Sequence, residues 1–119
     1  VKLFEQKNCT FAIRSGGHSP SHGWANIDDG VLLATSNLSS KSLHDGYASF
    51  GSGLRWGLVY EFLAPHGLVS VGGRSASVGM AGLVLGGGVS HFTPKRGLAC
   101  DNVKGFQVSK KREDLIRIR

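Results

Sequence analysis

The residues of this chain with the clearest chemical potential are Arg14-Ser15-Gly16-Gly17-His18-Ser19. Two adjacent glycines let main-chain N–H groups converge on an anion, as in a phosphate-binding nest. The Arg14 guanidinium would add charge, and the hydroxyls of Ser15 and Ser19 would add donors. A Gly-Gly hairpin turn carrying an exposed histidine explains the same spacing. A second stretch, 72–88, reads GGRSASVGMAGLVLGGG and holds seven glycines in 17 positions. It is too apolar for a linker, with Val78, Leu83, Val84 and Leu85 in it. Buried glycines mark places where backbone lies close to something: a flat ligand along the main chain, or a tight turn packed on neighbouring strands.

Other chemistries find less support. Gly51-x-Gly53-x-x-x-Gly57 misses the dinucleotide fingerprint by one residue, and there is no P-loop, which disfavours a Rossmann domain and a P-loop ATPase. No GxSxG occurs, and the acidic residues show no pairing for acid/base work. His18 and His22 stand four apart, but Pro20 lies between them and Gly23 follows, so they sit in a loop and no metal site is expected. Cys9 and Cys100 form no CxxC pair, and two buried free thiols are favoured over a disulfide.

The elements that must position these residues are short. FAIR (11–14) reads as a buried strand running into the turn chemistry of 15–23. VLLATS (31–36), YASFGSG (47–53) and NVKGFQV (102–108) read as three more strands. Between 54 and 63 the period changes, and Leu54, Leu58, Val59, Phe62 and Leu63 fall on one helical face, ended by Pro65 and Gly67. Residues 92–102 read as a loop around Pro94 and Gly97. The expected fold class is α+β, with long Gly-rich loops and few helices.

Composition bounds the rest. The 119 residues hold 18 glycines, about 15% against a usual level of about 7%. The net charge is +6, but 109–119 (SKKREDLIRIR) carries five basic and two acidic residues and so supplies half of the excess. No contiguous basic surface remains for nucleic acid. No run approaches the roughly 20 apolar residues of a membrane span, so no membrane partner is expected. The chain starts at Val1 without a secretory pattern, and the expectation is a piece of something longer.

In combination, FAIRSGGHS (11–19), GSGLRWGLVYEFLAPHGL (51–68), VGGRSASVGMAGLVLGGGVS (71–90) and GLACDNV (97–103) resemble the PCMH-type FAD-binding domain of the vanillyl-alcohol oxidase superfamily. The closer likeness is to the berberine-bridge-enzyme-like, fungal FAD-linked oxidoreductases. The resemblance covers 11–108, so the division it implies is a partial FAD-binding domain over 1–108 and an atypical basic tail over 109–119. It implies FAD as cofactor, with Arg14, Ser15, Gly16, Gly17 and Ser19 around the diphosphate. His18 falls where the family bonds a histidine to the flavin 8α-methyl carbon. Val78, Gly79, Met80, Gly82 and Leu83 match a second FAD-lining stretch, continued by Gly86, Gly87 and Gly88. Asn102 and Val103 fall where the chain runs past the cofactor. Some relatives make a second, cysteinyl bond to the flavin; that position here is Ser75, and Cys100 lies elsewhere.

For the parent family the resemblance implies oxidation of a small molecule (alcohol, sugar or secondary metabolite), with a hydride passing to the flavin and molecular oxygen as acceptor. The family's substrate domain and catalytic base have no counterpart in 1–119, so a chain inactive alone is expected. The contrasting expectation is a non-catalytic fragment or small interaction module without a stable cofactor.

Overall fold

The computed structural model describes residues 2–108 and 116–118. FAIR forms β1 (Phe11–Arg14), a strand as expected but not a buried one, since Ile13 is exposed; it pairs in parallel with β2 (Val31–Ala34), Phe11 facing Val31 and Arg14 facing Ala34. Parallel neighbours cannot be joined by a tight turn, so residues 15–30 cross over as a long loop, and that loop begins with the RSGGHS run. Thr35 closes the pair by donating its amide (2.9 Å) and its hydroxyl (3.3 Å) to the Arg14 carbonyl.

An antiparallel hairpin follows, β3 (Lys41–His44) and β4 (Tyr47–Phe50), turning at Asp45-Gly46 with Gly46 at φ 74°. β4 is the expected third strand, shortened to four residues. β3 was not expected, because every one of its residues is exposed and no apolar alternation marks it. The Asp-Gly pair was the available signal, since that dipeptide favours two-residue hairpin turns. The preceding helix α1 (Lys2–Gln6) also went unmarked.

The expected helix is α2 (Trp56–Leu63). It ends because Pro65 enters a 3₁₀ turn over Ala64–His66 and Gly67 takes the left-handed conformation at φ 66°. Its buried face is Trp56, Val59 and Leu63 with Leu54 just before it, whereas Leu58 points out. Of the expected stripe, Leu54, Val59 and Leu63 are buried and Phe62 packs against them, whereas Leu58 is exposed and the buried Trp56 was not assigned to the face. Val84 and Ala99 complete the buried core, with Val78, Met80, Leu83 and Val103 packed against it.

The 72–88 stretch is mostly loop, with the six-residue α3 (Met80–Leu85) inside it. Its glycines flank and interrupt a helical run whose Leu83 and Val84 reach the core, so propensity yields to packing. A further turn of helix, α4 (Thr93–Arg96), carries Pro94 in its first turn, in the segment read as loop. The expected strand over 102–108 begins only at Phe106, as β5 (Phe106–Val108), because Cys100–Asn102 close a 3₁₀ turn. β5 pairs antiparallel with β6 (Ile116–Ile118). Residues 109–115 and 119 of the basic tail lie outside the described residues. Cys9 and Cys100 are free, as favoured, but Cys9 is only half-buried and Cys100 is exposed.

Candidate cofactor-binding site

The two glycine-rich stretches meet. A Cβ built on Gly16 would collide with the Cα and N of Gly79, and one built on Gly79 would lie 2.6 Å from the Gly16 Cα and 3.1 Å from the Ser15 hydroxyl. Neither glycine has a positive φ. What demands glycine is therefore close backbone contact, the residue's second use.

Each stretch is held from behind. Ser15 Oγ donates to the Ser52 carbonyl at 2.6 Å, tying the RSGGHS loop to the turn before α2. The 76–80 segment is laced to the start of α2. The amides of Trp56 and Gly57 donate to the carbonyls of Val78 and Ala76, both at 3.0 Å, and the Met80 amide donates back to Leu54 at 2.9 Å. α2 lacks a side-chain cap at Arg55, so these carbonyls satisfy first-turn amides that a helix leaves orphaned. Further along, Gly72 and Gly73 lie against the Trp56 indole, and the Tyr60 hydroxyl donates to the Gly73 carbonyl at 2.8 Å. Burial pushes the Tyr60 phenol up from its ordinary value. The indole nitrogen of Trp56 is buried without a hydrogen-bond partner.

The front of the RSGGHS loop is open. Among the described residues, the amides of Gly16, Gly17, His18 and Ser19 donate to no protein group. Gly17 turns at φ 62°, and the Arg14 side chain lies against it, a Cβ there falling 3.1 Å from the Arg14 Cδ. His18 and Ser19 are exposed. His18 Nε2 is 3.0 Å from Ser77 Oγ, which is 3.1 Å from Ser75 Oγ. Arg55 donates from its guanidinium to the Ser77 carbonyl. These four residues form a polar cluster bridging the two stretches. Sequence reasoning did not single out Ser77 or Arg55, since their partners are distant in the chain.

The remaining candidates have mainly internal contacts. Val78, Met80 and Leu83 pack on the core. Gly82 has nothing within 4 Å of a Cβ position, leaving open space at the α3 surface, while Gly86 has only helix carbonyls near it. Gly87 and Gly88, at φ 95° and 83°, present carbonyls to the amides of Cys100 (2.9 Å) and Ala99 (2.8 Å). Asn102 spends its side-chain amide on the carbonyls of Arg96 and Leu98, and Val103 packs on the core.

The arrangement fits a dinucleotide cofactor. Bare main chain meets at two loops, N–H donors with no partner among the described residues stand beside an arginine, and an imidazole rises at the edge. The comparisons with known proteins bear on the cofactor, which is FAD. The chain is 46% identical over 110 residues to the FAD-dependent monooxygenase tpcD of Cochliobolus heterostrophus, covering 91% of this chain and 21% of that protein. The structure of 6-hydroxy-D-nicotine oxidase from Arthrobacter nicotinovorans superposes with a TM-score of 0.89 at 34% identity, covering 98% of this chain and 26% of that one. Glucooligosaccharide oxidase of Acremonium strictum, with its 6-S-cysteinyl, 8α-N1-histidyl FAD, superposes with a TM-score of 0.81 at 26% identity, over 96% of this chain and 25% of that one. The chain thus spans about a fifth of the curated relative and about a quarter of the solved chains. A family model described as FAD binding domain matches residues 1–119, and the chain belongs to that family.

Proposed function

We propose that this chain is the cofactor-gripping segment of a flavin-dependent oxidoreductase that oxidises a small molecule with molecular oxygen as acceptor. The observation that carries the proposal is the backbone contact of Gly16 with Gly79, which joins the two glycine stretches beside the amides of Gly16, Gly17, His18 and Ser19, and among the described residues these amides donate to no protein group. Unpaired N–H donors in a glycine loop favour a diphosphate, and the Arg14 guanidinium alongside adds an attractive positive charge. Ser15 braces the loop through Ser52. Gly82 has open space at its Cβ position on α3, room for a flat ligand to approach the main chain.

His18 is the proposed tether of the flavin. Its support is an exposed imidazole at the junction of the two stretches. The glucooligosaccharide oxidase carries both a histidyl and a cysteinyl bond. Ser75, which the resemblance puts in the cysteine's place, has no thiolate to offer, so one bond is expected here. When bound, the flavin supplies the redox step. The protein's residues bind it, orient it and exclude alternatives.

The test is direct. The chain is incubated with FAD, denatured, and its absorbance followed through a gel. Flavin that stays with the protein is expected for the wild type and is expected to vanish in His18→Ala, which should still bind exchangeable FAD. A wild-type chain with neither retained nor exchangeable FAD would sink the proposal.

A further inference from the structure

His18 is not a free imidazole on a mobile loop. Its Nε2 meets the hydroxyl of Ser77 at 3.0 Å, across 59 positions of chain, and Ser75 stands behind at 3.1 Å. The Ser77 main chain is itself held. Its carbonyl takes the Arg55 guanidinium, and the next two residues are fixed by the Trp56 amide on Val78 and by the Gly16 contact on Gly79. The hydroxyl is thus presented from a braced segment to a histidine on a different loop. We propose that Ser77 is the positioning residue of His18: it engages Nε2 and leaves Nδ1 as the lone-pair-bearing nitrogen for the flavin. This rests on the tether assigned to His18 above.

Which nitrogen of a histidine is available follows from the hydrogen bond the other one makes. A carboxylate in the place of Ser77 would favour imidazolium, which has no lone pair on either nitrogen. A hydroxyl brings no formal charge to the ring. Since it both donates and accepts, Ser77 takes the Nε2 proton only while its own proton is committed to Ser75, 3.1 Å away. Before tethering, Nε2–H donates to Ser77, whose proton points on to Ser75. In net terms, tethering breaks one C–H bond of the 8α-methyl group and the Nε2–H bond and makes one C–N bond at Nδ1. Two protons and two electrons pass to molecular oxygen, giving hydrogen peroxide. Nε2 then has only a lone pair, and Ser77 turns its proton toward it. The exposed Ser75–Ser77 pair thus keeps Nε2 bonded in both states and opens to water for the departing proton.

The experiment compares wild type, Ser77→Ala and Ser77→Thr in the full chain. Ring-nitrogen NMR of His18 without FAD is expected to show one tautomer in the wild type, protonated at Nε2, and a mixture in Ser77→Ala. Ser77→Thr, which keeps the hydroxyl, should restore the single tautomer. With FAD added, the rate at which flavin becomes resistant to denaturant should fall roughly three- to tenfold in Ser77→Ala, the effect of one lost hydrogen bond, and recover in Ser77→Thr. An unmoved tautomer in Ser77→Ala overturns the proposal whatever the attachment rate does. Failure of the wild type to retain flavin would sink the His18 tether instead, and the ring's tautomer would still decide the role of Ser77.

Discussion

At the scale of single residues, the site depends on two absent side chains. Gly16 and Gly79 touch through their backbones, and neither loop can retreat freely, since Ser15 is tied to Ser52 and Val78 to Trp56. Gly79→Ala therefore has to force the loops apart. The expected cost is about 1–3 kcal/mol, typical of overpacking, read as a lower urea midpoint, together with a clear loss of FAD affinity. An unchanged midpoint with unchanged FAD binding would show that the two loops do not need this contact. The residue types in this pairing were legible in the sequence, because glycines amid apolar residues announce close approach. Their partnership was not, since nothing local relates position 16 to position 79. Asn102 shows the reverse. Its place near a site was inferred from the resemblance, yet its side chain is occupied in closing the 96–102 turn.

At the scale of elements, α2 is the support on which the site is mounted. Its amides hold residues 76–78, and its Tyr60 holds Gly73. The Tyr60 phenol is raised by burial, so the folded state favours its protonated form. Its contribution is complete below the unfolded value of about 10 and is lost as pH rises through the higher folded value. Tyr60→Phe is expected to cost about 0.5–1.5 kcal/mol near neutral pH through the lost hydrogen bond to Gly73. That gap to wild type should shrink above pH about 10, where only the tyrosine chain ionises on unfolding. Urea melts across the alkaline range provide the check, and a constant gap would contradict it. The helix itself was legible from its period and its Pro65 and Gly67 stop. α3 was hidden, because its glycines argued against a helix that core contacts of Leu83 and Val84 nevertheless stabilise.

At the scale of the whole molecule, the chain is open. Its radius of gyration is 15.4 Å, against about 13.5 Å for a compact domain of this length. Each described sheet has two strands, and Trp24 (81% exposed), Leu85 (78%) and Val69 (63%) stand in solvent. Strand edges and apolar side chains of this kind favour association. Sedimentation should show heavier species as concentration is raised, and Leu85→Glu should reduce them. A wild type that stays monomeric throughout would show that this surface is not adhesive. By itself the sequence determined the α+β class, the main helix, the first two strands and the two glycine stretches, because period, turn residues and glycine content act over a few neighbours. The tertiary structure alone decided that Gly16 lies on Gly79, that Ser77 faces His18, and that a serine rather than a charged group attends the imidazole. Those contacts join residues some sixty positions apart, and only the packing of the 76–80 segment against α2 brings them within reach.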